Sequence, residues 1–332
     1  MISPIKQKIN QMKAIVINGC CKAEELHISE IPVPQVKPGW VLVKVRAAGL
    51  NHSEALMRRF EADRDYIRTP IVPGIECVGE VADASDSDLR VGDRVIALMG
   101  GMGRSFDGGY AEYALLPATH VFRVDTDLDW TSLAAVPETY YFTAHGSLFE
   151  SLRLEASDTL LVRGATSTVG LAAVQLGKAV GARVIAACRR ESSFEKMQAA
   201  GADHCVIDDE HLSEHPWAER PNKMLELVGI KTLDDSLRCV SRPGYVCHTG
   251  NLGYVFTWEH FNPIKDIPNG VYLTSFYSNY PTQAVIDDLF RLIRRGGIRP
   301  LYSKVFGMDE IATAHKLLET GGAGGKIILR VS

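Results

Sequence analysis

The pattern of apolar and polar positions changes character near residue 131. Before it, short β-rich runs at 13–17, 40–48, 76–82 and 94–98 are separated by Pro32-Val33-Pro34, Lys37-Pro38-Gly39, Pro73-Gly74 and Val91-Gly92-Asp93. Such clusters punctuate strands with turns, and so many short strands predict a partly closed antiparallel barrel. Beyond residue 131, strand-like runs at 159–163, 183–188, 205–207, 223–228, 244–248 and 271–276 are interleaved with helical runs at 169–180, 193–200 and 233–240. This alternation predicts βαβ units, right-handed crossovers and a parallel sheet. A last helix over 282–295 leads to strands at 302–306 and 326–331. We therefore expect a mainly β domain (12–130 with 277–332), discontinuous because the last strands return to it, an α/β domain with a parallel sheet (131–276) and an unstructured lead-in (1–11).

Composition narrows the class. A chain of 332 residues has room for about two domains. Lys plus Arg total 36 against 40 Asp plus Glu, a net charge of −4, which argues against a general nucleic-acid binder. With 46% hydrophobic and 23% charged residues, wholesale disorder is excluded. The first residues carry lysines with no apolar stretch behind them, so no signal peptide is expected. The most apolar segment, 170–188, is interrupted by Gly177, Lys178, Gly181 and Arg183, so no membrane span is expected either. The cysteines at 20, 21, 77, 188, 205, 239 and 247 form no C-x-x-C and read as reduced thiols of a cytoplasmic protein.

Candidate chemistry concentrates in one strand–turn–helix. A buried strand ending at Arg163 runs into the turn Gly164-Ala165-Thr166-Ser167-Thr168-Val169-Gly170 and then an apolar helix. That arrangement points backbone N–H groups at a pyrophosphate on the helix N-terminus. Gly164 permits the turn and Gly170 a close helix–strand approach, while Ser167 stands where the fingerprint has its middle glycine, with hydroxyls available to phosphate. An ordinary βα turn without ligand reads the same way. The next strand ends at Arg189-Arg190, where an NAD-preferring site presents a carboxylate to the adenosine ribose. Two guanidinium groups suit a 2′-phosphate, with Ser192 and Ser193 adding hydroxyls, so NADPH is the expected cofactor. Glu191 is the competing detail, within reach of the ribose if the strand ends later.

Further ordered motifs are Lys13-Ala14-Ile15-Val16, Ala47-Ala48-Gly49-Leu50-Asn51, Pro73-Gly74-Ile75-Glu76 with Gly79, Val91-Gly92-Asp93-Arg94-Val95, Gly108-Gly109-Tyr110-Ala111-Glu112-Tyr113, and Gly324-Gly325-Lys326-Ile327-Ile328-Leu329-Arg330. Together with the glycine turn, these make the sequence from Met12 to Val331 resemble the medium-chain dehydrogenase/reductase superfamily, in particular its zinc-free quinone oxidoreductase-like branch. The resemblance implies a GroES-like catalytic domain built from both chain ends around a central Rossmann domain. It also implies a homodimer formed by edge-to-edge pairing of Rossmann sheets, for which 271–276 is the candidate edge.

Zinc-dependent relatives carry Cys where this chain has Asn51, His where it has Ile75, and a third ligand near Thr139, and no cysteine lies between Cys77 and Cys188 to form a structural-zinc lobe. No metal is therefore expected. His211 and His215 have i, i+4 spacing in a polar segment without a third partner and read as a surface loop or helix. Without a Lewis acid, alcohol oxidation lacks its usual stabilisation of the alkoxide. Hydride transfer to a quinone or electron-poor enone is then the expected reaction.

Under the same resemblance Asn51 lines the nicotinamide and substrate cleft, with an Asx turn as its plain alternative. Thr143 is a partner for the nicotinamide end, although His145 replaces the family's tyrosine two residues later. Tyr66, Tyr140 and Tyr141 either pack on a flat acceptor or donate a proton, or are core and rim aromatics. Gly250, Asn251 and Leu252 occupy the cofactor-covering loop, and Phe276 and Lys326 map near cofactor contacts, a solvated strand-start lysine being the alternative for the last. Two other functions fit the same scaffold. One is a zinc-free enoyl-thioester reductase; the other is a non-catalytic NADPH-binding redox sensor.

Overall fold

In the computed structural model, residues 11–278, 281–320 and 323–332 are described, and the expected lead-in lies almost wholly outside them. The chain divides into two compact units. One comprises the described residues up to Pro137 with Tyr302–Ser332, and the other is Glu138–Leu301.

The first unit is built on β-strands. β1 (Gln11–Ile15) and β2 (Ile28–Pro32) form an antiparallel pair. β3 (Trp40–Leu50) is the long central strand, bonded antiparallel to β4 (Glu76–Asp83) and β6 (Tyr113–Pro117). β5 (Arg94–Leu98) and β7 (Val121–Arg123) extend the sheet. Along β3, Val41, Val43 and Val45 point inward between half-buried Leu42, Lys44 and Arg46, the period-2 signature of a strand with one covered face. From Ala47 to Leu50 every residue is buried, so the strand runs into the core and delivers Asn51 there. Helix α1 (His52–Leu56) starts at that point, and α2 (Trp130–Ala134) closes the unit's first stretch with Asp129 as N-cap, its carboxylate accepting from Thr131 and Ser132 N–H.

The second unit is a six-stranded parallel sheet in the order β10-β9-β8-β11-β12-β13. Its strands are β8 (Thr159–Arg163), β9 (Arg183–Cys188), β10 (His204–Ile207), β11 (Lys223–Glu226), β12 (Gly244–His248) and β13 (Val271–Ser275). β8 is buried at all five positions, as a strand covered on both faces must be. Helices α3 (Thr168–Val180), α4 (Phe194–Ala199), α5 (Ile230–Cys239) and α6 (Pro263–Asp266) carry the crossovers, except that β10 connects to β11 through only a short 3₁₀ turn at Leu212–Glu214. The strand order reverses between β8 and β11, which is where open α/β sheets bind ligands beyond their carboxyl ends.

A wide π-type helix spans Pro137–Ser151. Helix α7 (Gln283–Arg295) buries Ile286, Leu289, Phe290 and Ile293 and packs against α3. This corrects the expected domain limits. Residues up to 301 belong with the parallel sheet, where α7 packs against α3 within the same unit, so the boundaries fall at 137 and 301 rather than 130 and 276.

The chain then returns to the first unit. β14 (Tyr302–Gly307), α8 (Ile311–Thr320) and β15 (Lys326–Arg330) follow, and β15 inserts between β14 and β3. Among the described residues no helix is long and apolar enough to cross a membrane.

Candidate active site

At the carboxyl end of β8 the glycine turn has the geometry its sequence promises. Gly164 has φ 79°, a left-handed value that favours glycine. A Cβ on Gly170 would lie 2.5 Å from the Gly164 carbonyl oxygen, so only glycine lets α3 approach the turn. Ser167 is the N-cap of α3, its hydroxyl oxygen accepting from the Gly170 N–H at 3.1 Å. The hydroxyl that replaces the middle glycine thus first closes the helix end, and its own proton remains to donate. Thr166 is exposed, and Thr168 and Val169 are half-buried in the first turn.

Around the turn the structure gathers other expected residues of the same unit. Gly250 follows β12, and a Cβ there would sit 2.3 Å from the Leu227 carbonyl oxygen, so the loops after β11 and β12 touch. Leu252 donates its N–H to that carbonyl at 3.1 Å, and its side chain lies 3.1 Å from where a Cβ on Gly164 would stand. Asn251 follows the same loop, its Oδ1 3.0 Å from the corresponding position on Gly229. Arg189 and Arg190 leave the end of β9 exposed, followed by a 3₁₀ turn Glu191–Ser193 with Ser192 exposed as well. Phe276 packs on the π-type helix at Gly146, where any Cβ would meet the ring at 1.9 Å. That helix also carries Thr143, whose hydroxyl donates to Glu138 at 3.0 Å, and buried His145, which burial holds at about 4 and therefore neutral near pH 7. Tyr140 is buried with its hydroxyl donating to Gln175, which gives it a core role; the side chain of Tyr141 lies outside the described residues.

Arg163 was not singled out by its sequence. It is fully buried immediately before Gly164 and bonds Asp208 at 2.7 and 3.0 Å, Asp235 at 2.7 Å and Ser236 at 2.9 Å. Burial lowers and these carboxylates raise its pKa, with a net rise. One cation thus ties the carboxyl end of β8 to the loop after β10 and to α5.

In the first unit, Asn51 sits in a closed ring of buried polar groups. Its Nδ2 donates to Glu76 Oε1 at 3.0 Å, and its Oδ1 accepts from Lys326 Nζ at 2.5 Å. Lys326 Nζ in turn lies 2.6 Å from Glu76 Oε1. Glu54 fixes the backbone beside it, accepting from the N–H of Asn51 and of Ile75 at 2.8 Å each and from the Tyr110 hydroxyl at 2.5 Å. Burial pushes the Glu54 carboxyl up to about 7 against these hydrogen bonds. Gly49 makes room for the ring, since a Cβ would stand 2.2 Å from Glu76 Oε1 and 2.6 Å from Lys326 Cε.

Two of the plain alternatives fall away here. Lys326 is not a solvated strand-start lysine but a buried cation paired with Glu76. Asn51 makes no side-chain cap bond to its helix, because its amide is turned inward to the ion pair. Tyr66 is 62% exposed in the loop after the π-type turn Met57–Glu61 that continues α1, and makes no hydrogen bond to this ring. Glu54, Glu76 and Tyr110 were missed as site residues; a glutamate heading one apolar strand and a lysine heading another were the available signals. His211 and His215 flank a 3₁₀ turn, and among the described residues no group of three His, Cys, Asp or Glu side chains is placed to hold a metal ion.

Residues 37–126 match the family of alcohol dehydrogenase GroES-like domains, and residues 200–329 that of zinc-binding dehydrogenases. The chain belongs to the medium-chain dehydrogenase/reductase superfamily. Relatives across this superfamily include quinone oxidoreductase from Lama guanicoe, 28% identical over 96% of this chain and 97% of its own. Acryloyl-coenzyme A reductase from Metallosphaera sedula is 27% identical over 96% and 99%. The crystal structure of AibC superimposes with a TM-score of 0.87 at 26% identity, covering 99% and 98%. As a medium-chain dehydrogenase/reductase, the protein is an oxidoreductase of a class that uses a nicotinamide cofactor, with a small-molecule substrate.

Proposed function

We propose that this protein is an NADPH-dependent reductase that delivers hydride to a quinone or an electron-poor enone without zinc. The observation that carries the reading is the end of β9, where two exposed guanidinium groups, Arg189 and Arg190, follow the strand in place of a carboxylate. A planar fork of donors suits a 2′-phosphate, and a ribose diol has no use for two such forks. The bound nicotinamide would supply the hydride. The pyrophosphate would rest on the turn Gly164–Gly170 and the first N–H groups of α3, with Thr166, Ser167, Thr168 and Val169 around it. Gly250, Asn251 and Leu252 would cover it, and Thr143 and Phe276 would flank the nicotinamide end.

The zinc-free part rests on the donor set. Ile75 offers no ligand atom, and the Lys326 ammonium against Asn51 Oδ1 repels a dication at that oxygen. Asn51 would instead donate to the oxygen of the acceptor. A second reading, reduction of an enoyl thioester, is favoured by the near-complete overlap with acryloyl-coenzyme A reductase. Seven free cysteines support a reducing, cytoplasmic setting. We also infer a homodimer through the open edge of β13.

Fluorescence titration should give tighter binding of NADPH than of NADH, and Arg189→Ala with Arg190→Ala should erase a preference of about tenfold or more. Equal affinities in the unmutated protein would reject the assignment. NADPH oxidation against quinones, enones and enoyl thioesters then separates the two substrate readings, and binding without turnover on any of them marks a non-catalytic NADPH-binding redox sensor.

A further inference from the structure

Three polar side chains close the buried ring at the end of β3, and their chemistry leaves one arrangement open to the Asn51 amide. An ammonium only donates hydrogen bonds, and an ionised carboxylate only accepts them. With Lys326 Nζ 2.5 Å from one end of the amide and Glu76 Oε1 3.0 Å from the other, the oxygen must face the lysine and the nitrogen the glutamate. A flipped amide would set oxygen against carboxylate and N–H against ammonium. The direction of the amide is thus fixed by charge, not merely assigned.

The ring occupies one hydrogen of Nδ2 and leaves the second. Glu76 is 0% and Lys326 3% exposed, whereas Asn51 is 9% exposed, so Asn51 is the least buried member of the ring. Burying a lysine and a glutamate side by side is weak as a source of stability, because desolvation offsets their attraction. Its effect lies in what it orders. Resting on the reductase reading above, we propose that Glu76 and Lys326 are positioning residues that hold the Asn51 amide, polarised by the ammonium, with its free N–H aimed at the acceptor oxygen.

The chemistry asks for such a donor. When hydride adds to the β-carbon of an enone, a C–H bond forms, the C=C π pair moves to join the α-carbon to the carbonyl carbon, and the carbonyl pair moves onto oxygen. The product is an enolate, which takes a proton from water to complete the reduction. Negative charge therefore develops on that oxygen in the transition state, and a pre-aimed donor stabilises it more there than in the ground state. An ammonium bonded to the amide oxygen draws electron density from the nitrogen and strengthens its remaining N–H as a donor.

The test uses Asn51→Ala, Lys326→Met, the charge-neutral pair Glu76→Gln with Lys326→Met, Lys326→Arg, and the combined Asn51→Ala/Lys326→Met. With saturating NADPH and an enone acceptor, Asn51→Ala should lower kcat about 10²-fold and Lys326→Met about tenfold or more, with the Kd for NADPH within about twofold of the unmutated protein. The combined variant should be no worse than Asn51→Ala alone, and Lys326→Arg should recover part of the loss. The neutral pair guards against a folding defect, since it leaves no uncompensated charge, and it should show the same kcat loss.

A readout independent of turnover is the ionisation of bound 4-nitrophenol, whose phenolate imitates the enolate oxygen. Its pKa should be lowered by the unmutated protein and returned toward the free value by Asn51→Ala and Lys326→Met alike. Multiplicative losses in the combined variant, or a raised Kd for NADPH with unchanged kcat in Lys326→Met, would make the lysine a cofactor contact and overturn the proposal. Unchanged kcat in Asn51→Ala overturns it as well while leaving the reductase reading intact. Absence of NADPH oxidation by the unmutated protein with every acceptor removes that reading and this one together.

Discussion

His315, on α8, is one of two imidazoles that folding withdraws from water. It is 1% exposed, and its Nδ1 faces the Arg58 Nε at 3.4 Å, so burial first and then the neighbouring guanidinium lower it to about 3. His145 falls to about 4 by burial. The unfolded chain protonates both near 6.5, so between there and pH 4 the unfolded state binds more protons and stability falls as pH falls. The ceiling is about 1.4 kcal/mol per histidine per pH unit. Glu54 acts in the opposite sense: its contribution is present below 4.5 and is lost as pH rises through about 7. We expect urea denaturation of His315→Gln to show a smaller drop in midpoint from pH 6.5 to 5 than the unmutated protein; parallel drops would refute the assignment. Single residues of this kind are the least legible in a sequence. A histidine at helical spacing carries no sign of its burial, whereas Gly164 and Gly170 announced themselves because a turn and a close approach have few substitutes.

Among elements, the strands of the parallel sheet were readable almost to the residue: 183–188 and 244–248 match β9 and β12. Buried parallel strands are apolar runs cut off sharply by Gly, Pro and charge. The antiparallel unit was read less completely, with β2, β6 and β7 missed, because half-covered strands of three to five residues give too few alternations to stand out. Helix α8 was missed as well, although its ten residues equal those of α5. Arg163 shows what pattern reading omits at this scale. Its buried bonds to Asp208 and Asp235 replace the helix missing from the β10–β11 crossover as the fastening of that loop. Arg163→Leu takes the cation from both carboxylates and leaves them only backbone N–H partners, and a loss of about 3–5 kcal/mol is expected by chemical denaturation. A loss below about 1 kcal/mol would mean that water already serves those carboxylates.

For the molecule as a whole, the edge of the parallel sheet is where the dimer inferred above would form. β13 is the last strand in the sheet order, with Tyr272 54% exposed and stacked on Tyr245 at 4.8 Å. Phe256 and Ile264, on the connection that precedes it, are 70% and 92% exposed. Light scattering should give twice the mass of the chain, and Tyr272→Glu with Thr274→Glu should halve it by setting like charges across the seam. A single-chain mass for the unmutated protein rules the dimer out. The two-unit organisation was legible as a change of texture, but its seams were not, since α7 looks the same in sequence whichever unit covers its apolar face.

The placement of β15 beside β3 also has a bearing on synthesis. Asn51 and Lys326 are 275 residues apart. A ribosome therefore completes β3 and Glu76 long before it makes the cation that neutralises them. The nascent first unit must keep that carboxylate hydrated and the Ala47–Leu50 end of its longest strand unpaired on one flank, beyond the stretch that β6 covers, while the whole parallel sheet is translated. The final strand then arrives as the bolt that shuts water out.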